Sequence, residues 1–293
     1  MLGFYSRKLT ILLILAGYFF LAFNIAVEKW LLEKYSLYEI NFITAASFMI
    51  ITAIQEFFTN GSLKNIRPFS WKILILISLF TLGAWHFFLT ALKGLSVFEF
   101  GSMSLLSPVI TSVLATFFLR ERPSFYVLPA IILGIFGGYL MMDGEWNGFS
   151  SAQYHLFMIF ALLFSSLRWI VVKHIGDKIP TSALIFWEPS LVLISMAIIV
   201  DLGGLWDKIT LILFASGGLL FISRQLLVRS YQNRTTTATS ISSLIYTKLL
   251  WTLLFGYWFW NNIPKPIELI GVLLIIFSSM LVIIPSLKFS KSI

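Results

Sequence analysis

Four charged residues lie inside long apolar runs of this 293-residue sequence, and they are the residues best suited to chemistry there. Lys248, Arg168 and Arg224 are cations, and Glu188 is an anion. A charged group at membrane depth costs a few kcal/mol unless it is paired or hydrated, so such residues face the interior of a helix bundle and mark functional sites. We therefore expect these four side chains to bind a charged substrate or to pair with one another.

Lys248 and Glu188 each allow two interpretations. Lys248 is the deepest of the four, about twelve residues or roughly 18 Å from either end of its apolar run. It either has a role in substrate binding or coupling, or it forms a permanent ion pair, for which Glu188 is the expected partner. Glu188 stands in the sequence Trp187-Glu188-Pro189, where the proline disturbs a helix. Its expected roles are coupling and charge pairing.

Arg168 and Arg224 lie four or five residues from the ends of their apolar runs. Each is long enough to extend to the lipid headgroups, and each could equally face a cavity. An internal comparison of the two halves of the chain aligns Arg168 with Asn24 and Arg224 with Trp85. Corresponding positions are therefore polar or aromatic in both halves, as expected for the walls of a shared cavity.

Further candidates accompany these charges. His86, which aligns with Gln225, is expected either to be a buried, hydrogen-bonded side chain or to carry a coupling proton. Aromatic walls would add stacking or cation–π contacts with a planar or cationic part of a substrate. The complete predicted set for substrate binding is Lys248, Arg168, Arg224, Tyr246, Trp85, Trp169, Trp251, Asn24 and Gln225, with Glu188 and His86 for coupling or charge pairing.

The elements that hold these residues are transmembrane helices. A bilayer-crossing helix needs about 20 mostly apolar residues, and the runs lack the alternation of a barrel wall. The sequence therefore predicts an all-α integral membrane fold of ten spans. Their expected bounds are 9–28, 37–58, 72–92, 96–119, 125–142, 153–173, 181–201, 209–228, 236–260 and 266–285.

Composition excludes other classes of protein. The chain is 58% hydrophobic and 12% charged, with a mean hydropathy of +0.91, whereas soluble domains are roughly 45–50% apolar and about 25% charged. This excludes a soluble enzyme, a disordered chain and a nucleic-acid-binding module. The absence of cysteine removes thiolate metal sites, and three scattered histidines have no metal-ligand spacing. We expect no metal and no cofactor.

The basic residues indicate orientation. With ten spans, thirteen Lys and Arg residues at or beyond the span ends fall on the side that carries both termini, and five fall on the other side. Cytoplasmic loops carry the excess of positive charge. We therefore expect both termini in the cytoplasm and place the protein in the bacterial inner (plasma) membrane.

The ten spans divide into two repeats of five, over residues 1–147 and 148–293. In each half a short polar link leads into a small-residue helix entry, then a long aliphatic and aromatic run, a turn with proline and a last helix with glycine. Because five is odd, the second repeat must be inverted in the membrane relative to the first. Inverted repeats are typical of secondary transporters, whose substrate site lies near the midplane between the halves.

The chain resembles the EamA-type members of the drug/metabolite transporter superfamily. The resemblance rests on the stretch SPVITSVLATFFLRERPS, with Pro108 in span 4 and Glu121 at its turn, and on a fifth span that contains Gly134, Gly137 and Gly138. The second half departs from the pattern, with the sequence Tyr-Thr-Lys at 246–248 in place of the proline. The resemblance implies alternating-access transport of small metabolites, often export or exchange, through a cavity lined by spans 1, 3, 4, 6, 8 and 9.

These observations together predict a secondary transporter. The unpaired positive charge favours a small organic metabolite with an anionic group, such as an amino acid or a phosphorylated or nucleotide-like compound. No phosphate-binding loop for ATP is present, so transport is by exchange, facilitated diffusion or ion coupling, with a counter-substrate or proton as partner. The alternatives are a translocator of a lipid or lipid-linked headgroup and, with less support, an intramembrane enzyme or a channel.

Overall fold

The protein is all-helical, as its computed structural model shows for residues 7–68, 70–118, 127–141, 149–175, 179–200, 209–232 and 247–289. Twelve α-helices and two short 3-10 helices occupy these residues. The α-helices are α1 Arg7–Leu31, α2 Leu37–Asn60, α3 Trp71–Gly94, α4 Val97–Met103, α5 Ser107–Phe118, α6 Val127–Met141, α7 Phe149–Ile175, α8 Thr181–Trp187, α9 Ser190–Ile199, α10 Ile209–Gln232, α11 Thr247–Trp260 and α12 Pro266–Phe289.

The helices form the ten predicted spans, with two of the spans divided. Span 4 consists of α4 and α5, separated by a 3-10 turn at Ser104–Leu106, and span 7 consists of α8 and α9, separated at Glu188 and Pro189. In the described parts of the chain every other span is represented by one helix, and for span 9 that helix is the segment from Thr247 onwards. The expected disturbance of span 7 at Pro189 is therefore present, and span 4, which was expected as one run over 96–119, is also interrupted. Pro108 and Pro189 cannot donate to the carbonyl groups four residues before them.

Local sequence signals fix several helix ends. At the start of α2, the Ser36 side chain accepts a hydrogen bond from the backbone N–H of Glu39, and the Glu39 carboxylate accepts one from the backbone N–H of Ser36. Ser96 and Glu99 form the same capping box at the start of α4. Gly61 ends α2 in the left-handed conformation, with φ of 63°. These caps satisfy the backbone groups that helix ends leave without partners.

Several helices suit a bilayer by length and apolar composition. Five helical segments of the described chain qualify by themselves: Leu12–Leu31, Leu37–Asn60, Trp71–Gly94, Ala152–Val172 and Ser182–Ile199. Many large apolar side chains on the outer surface are exposed, as is required of a surface that faces lipid. The span ends define two sides, and we call the side where α1 begins the first side and the opposite side the second side.

Packing between the helices has the symmetry of two repeats. Span 1 and span 6 make equivalent contacts with the opposite half. Helix α1 packs on α10 and α11 of spans 8 and 9, and α7 packs on α3 and α5 of spans 3 and 4. The pairs α2 with α9, α4 with α11 and α6 with α12 each join a span to the span five places later. Exchanging the two halves leaves this set of contacts unchanged, which is consistent with inverted repeats.

Candidate functional site

The centre of the site is a carboxylate shared by two guanidinium groups. Arg168 donates through Nη1, and Arg224 through Nη2, to the same Oε1 atom of Glu188. Arg168 and Glu188 are each only 6% exposed. Two positive charges thus share one negative charge in a largely buried cluster, which we call the Arg–Glu–Arg cluster.

The three helices that carry this cluster hold its members at one depth. Arg168 on α7 lies seven residues before the end of that helix at Ile175, and Arg224 on α10 lies eight residues before Gln232. Glu188 lies seven residues after the start of α8. At 1.5 Å per residue, all three lie roughly 10–12 Å inside the first side, so the cluster joins spans 6, 7 and 8 at a single level.

Trp169 provides an aromatic surface for both cations. The guanidinium carbon of Arg168 lies 5.0 Å from the centre of the indole ring, and that of Arg224 lies 4.8 Å from it. These distances are within the range of cation–π attraction. Trp169 remains 37% exposed, so part of the indole is still available for contact.

The break in span 7 is supported by hydrogen bonds from its neighbours. Ser78 of α3 donates to the carbonyl of Trp187 over 2.6 Å, and Ser190 donates to the same oxygen over 2.7 Å. The indole of Trp187 donates to the carbonyl of Ile66 over 2.7 Å. These bonds satisfy the backbone at the break and fix the position of Glu188, the next residue.

Lys248 has a different partner from the one expected. Its ammonium group donates to the hydroxyl of Ser104 over 2.8 Å and lies 6.0 Å from the centre of the Phe100 ring. Ser104 in turn donates to the carbonyl of Gly101. The ion pair with Glu188 that the sequence left open is therefore not formed, since both arginines occupy that carboxylate and Lys248 lies against span 4.

Lys248 is also a cation without a carboxylate among the residues that the structure describes. It is 7% exposed, and none of the ion pairs found there includes it. Its remaining N–H groups can donate to another acceptor. Tyr246, which the sequence placed beside it, lies outside the described residues.

Trp251 lies one helical turn beyond Lys248, on the same face of α11. Its indole nitrogen is buried and has no hydrogen-bond partner in the part of the chain that the structure describes. Its ring meets that of Phe19 of α1 edge-on, with centres 5.1 Å apart. A buried donor without a partner carries a free-energy cost that an incoming acceptor would remove.

Asn24 and Gln225 connect span 8 to spans 1 and 2. Ser216 of α10 donates to Oδ1 of Asn24 over 2.9 Å, and Nε2 of Gln225 donates to Oε1 of Gln55 over 2.9 Å. Asn24 is almost completely buried, with 1% exposure. These predicted site residues thus belong to the contact between the two halves.

Trp85 and His86 lie on α3 with aromatic neighbours. The ring of Trp85 meets Phe48 edge-on at 6.1 Å. His86 lies 6.2 Å from Tyr38 and 5.6 Å from Phe87, measured between ring centres. Their role in the site stays a prediction.

Sequence reasoning missed the partners that complete these contacts. Ser104, Ser216 and Gln55 are common residue types, and only the fold brings them to Lys248, Asn24 and Gln225. Glu28 was also missed, because the predicted first span ended at that residue whereas α1 continues to Leu31. Its position one turn after Asn24 is a signal that could have identified it.

The comparison with protein families decides what class of protein this is. The sequence model of the EamA-like transporter family matches the chain twice, over residues 8–142 and 153–284. The chain belongs to the EamA-like transporter family. The predicted membership of the drug/metabolite transporter superfamily is therefore confirmed, as is the prediction that the chain is a transporter and not an enzyme.

Two individual proteins extend the comparison. The S-adenosylmethionine uptake transporter of Rickettsia bellii (strain RML369-C) is 24% identical over 271 residues, which cover 89% of this chain and 88% of that protein. A crystal structure of a protein 15% identical in sequence covers 94% of this chain and 96% of its own, with a TM-score of 0.63. The second likeness shows that the fold is shared.

Proposed function

We propose that this transporter moves a small metabolite that combines a carboxylate with a planar heteroaromatic base, with S-adenosylmethionine as the specific candidate. The observation that carries the proposal is the Arg–Glu–Arg cluster on Trp169, where two cations share one carboxylate beside a partly exposed indole. A substrate carboxylate would supply the missing negative charge, and a base could stack on the indole.

Lys248 and Trp251 add a second place for an acceptor group. A buried ammonium group with only a hydroxyl partner and an indole N–H with none lie one turn apart on α11. An anionic oxygen that accepts from both would relieve two unfavourable burials at once. The positive charges of S-adenosylmethionine would be held by aromatic rings through cation–π attraction, for which Phe19 and Trp251 are available.

The relative from Rickettsia bellii supports the choice of substrate. That protein takes up S-adenosylmethionine, and its similarity extends over 89% of this chain. That compound has both the carboxylate and the purine base that the site chemistry favours. Transport would occur by alternating access between the two halves, with both termini in the cytoplasm of a bacterial inner membrane.

The test is uptake of labelled S-adenosylmethionine into proteoliposomes that contain the purified protein. We expect saturable uptake that unlabelled S-adenosylmethionine inhibits, and weaker inhibition by adenosine or methionine alone, because each has only part of the recognised structure. Arg224→Gln removes a charged hydrogen-bond donor worth about 1.5–3 kcal/mol, so the apparent affinity should fall by roughly 10- to 150-fold.

Matched variants separate binding from general damage. Arg67 is exposed beyond α2 and Lys72 is exposed at the start of α3, so Arg67→Gln and Lys72→Glu should leave uptake unchanged. Lys248→Glu should abolish uptake while the protein still inserts in the membrane. The proposal would be contradicted if the Arg224→Gln and Lys248→Glu variants kept full uptake. It would also be contradicted if acidic lipid headgroups raised the thermal stability of the protein and S-adenosylmethionine did not.

A further inference from the structure

Glu28 is a membrane carboxylate that the proposed substrate site does not use. It lies on α1, three residues or roughly 4.5 Å from the second-side end of that helix at Leu31, and it is partly buried. No ion pair to Glu28 is found in the described parts of the chain. A carboxylate in that position is costly unless it is hydrated or takes up a cation.

Polar groups connect Glu28 to the contact between the halves. Its side chain lies one turn after Asn24 on α1, which makes the two side chains neighbours on that helix. Because Ser216 already donates to Oδ1 of Asn24, the amide nitrogen of Asn24 is the group left to donate to the carboxylate. A chain of polar groups therefore runs from span 8 through Asn24 to Glu28.

The neighbouring residues of span 2 extend this polar region. Next to Ser216 on α10, Gly217 packs directly against Ser47 and the backbone of Thr44 on α2. Thr44 and Asn41 are both 2% exposed. Within the described segments, the hydroxyl of Thr44 and the amide nitrogen of Asn41 have no hydrogen-bond partner. Polar groups that are buried without partners are uncommon and indicate a site for a ligand, ion or water.

The cations nearest in sequence are directed elsewhere. The ammonium group of Lys29 donates to the carbonyls of Leu92 and Lys93 at the end of α3, over 2.7 and 3.1 Å. The helices that pack on α1 are α3, α4, α10 and α11. Their charged or titratable groups towards the second side, together with those of α1 and the turn after it, are Lys29, Glu33, Lys34, Tyr35, His86, Lys93, Glu99, Lys248 and Tyr257. The ammonium group of Lys34 lies over the Trp30 ring, 4.9 Å from its centre.

We propose that Glu28 is the coupling site of this transporter, where a proton binds from the second side. Binding or release of a proton there changes the charge at the end of the Asn24–Ser216 link, which joins span 1 of one half to span 8 of the other. Alternating access must remake that contact between the halves. Proton occupancy of Glu28 and the position of the two halves are therefore coupled, and each affects the other.

This assignment replaces the two candidates for coupling that the sequence offered. Glu188 already has two guanidinium partners, and His86 has aromatic neighbours. Among the described residues, Glu28 is the one of these three groups that is a carboxylate without an ion pair, and its neighbour Asn24 is hydrogen-bonded to the other half.

A first test needs no transported substrate. Dicyclohexylcarbodiimide reacts with protonated carboxyl groups in apolar surroundings, and the modified residue is located by mass spectrometry. We expect labelling of Glu28 in the wild-type protein that falls as pH rises, and no labelling of Glu33, which is exposed and accepts from the Trp260 indole. An unlabelled Glu28 at acidic pH would overturn the proposal, whether or not the proposed substrate is correct.

A second test uses transport, and it rests on the proposed function for its labelled substrate. A gradient of one pH unit, acidic on the second side, should drive up to about tenfold accumulation if one proton moves with each substrate, because one pH unit is a tenfold ratio of proton activity. Glu28→Gln should lose this accumulation and retain exchange of labelled for unlabelled substrate. Glu33→Gln is the matched control and should behave as wild type.

The outcomes separate the two proposals. Absence of any S-adenosylmethionine transport by the wild-type protein refutes the substrate, and the labelling experiment then decides the role of Glu28. The proton site is refuted if a pH gradient still drives accumulation in the Glu28→Gln variant. It is also refuted if a sodium gradient, and not a pH gradient, drives accumulation in the wild-type protein.

Discussion

The Arg–Glu–Arg cluster predicts an asymmetry between removing its anion and removing one of its cations. Glu188→Gln leaves the buried Arg168 and the half-buried Arg224 without a carboxylate. Breaking a buried ion pair in this way costs about 3–5 kcal/mol. Arg224→Gln leaves Glu188 paired with Arg168, so the cluster becomes neutral. The anion should therefore contribute far more to the free energy of unfolding than the second cation.

The expected cost of Arg224→Gln follows from two opposing terms. The lost hydrogen bond to a charged group is worth about 1.5–3 kcal/mol. Two guanidinium groups that share one acceptor oxygen lie roughly 7 Å apart at most. Unit charges at that separation repel each other by about 2 kcal/mol at an effective dielectric constant near 20. The two terms nearly cancel, and the net effect should be within about 1 kcal/mol.

The assay is thermal unfolding of the purified protein in detergent. The chain has ten tryptophans and no cysteine, so intrinsic fluorescence reports unfolding and thiol-reactive dyes do not. Glu188→Gln should lower the midpoint strongly, Arg224→Gln slightly, and the exposed control Arg67→Gln not at all. In the double variant of Glu188 and Arg224 only one cation is unpaired, so part of the loss should be recovered. An Arg224→Gln variant as unstable as Glu188→Gln would refute the shared-carboxylate reasoning.

Three further predictions concern packing and backbone satisfaction. Gly217→Ala places a methyl group 1.6 Å from the Ser47 hydroxyl and should reduce the folded yield, whereas Gly218→Ala has its nearest contact at 3.6 Å and should fold normally; size-exclusion profiles compare the two. Ser78→Ala removes one of two hydroxyl donors to the Trp187 carbonyl, so its unfolding midpoint should fall modestly, by a free energy of about 1 kcal/mol. Lys29→Met removes the bonds that cap α3 and should increase amide hydrogen exchange at the end of that helix without loss of the fold.

The spans could be predicted from sequence because each is a self-contained apolar run. Span 2 was expected over 37–58 and is Leu37–Asn60; span 3 was expected over 72–92 and is Trp71–Gly94. The break in span 7 had a signal in Pro189. The turn at Ser104–Leu106 did not stand out, because its cause, Pro108, also fits the first turn of the helix that follows.

The site could be predicted only as a set of residue types. Burying a charge is costly in any apolar run, so Arg168, Arg224, Glu188 and Lys248 were identifiable without a fold. Their partners were not, because pairing depends on which spans are neighbours and on how each helix is rotated. The hydroxyl of Ser104 became the partner of Lys248 only through the contact between α4 and α11.

The packing of each half mainly on the other half has a consequence for biosynthesis. In the described chain, the most extensive helix contacts all join a span of one half to a span of the other. Helix α1 ends at Leu31 and its chief partner α10 begins at Ile209, so at about 5–20 residues per second the ribosome needs roughly 10–35 s to supply that partner. During this interval the newly made first span must keep its polar residues in the insertion machinery or in water. The first half therefore completes its fold only after synthesis of the second.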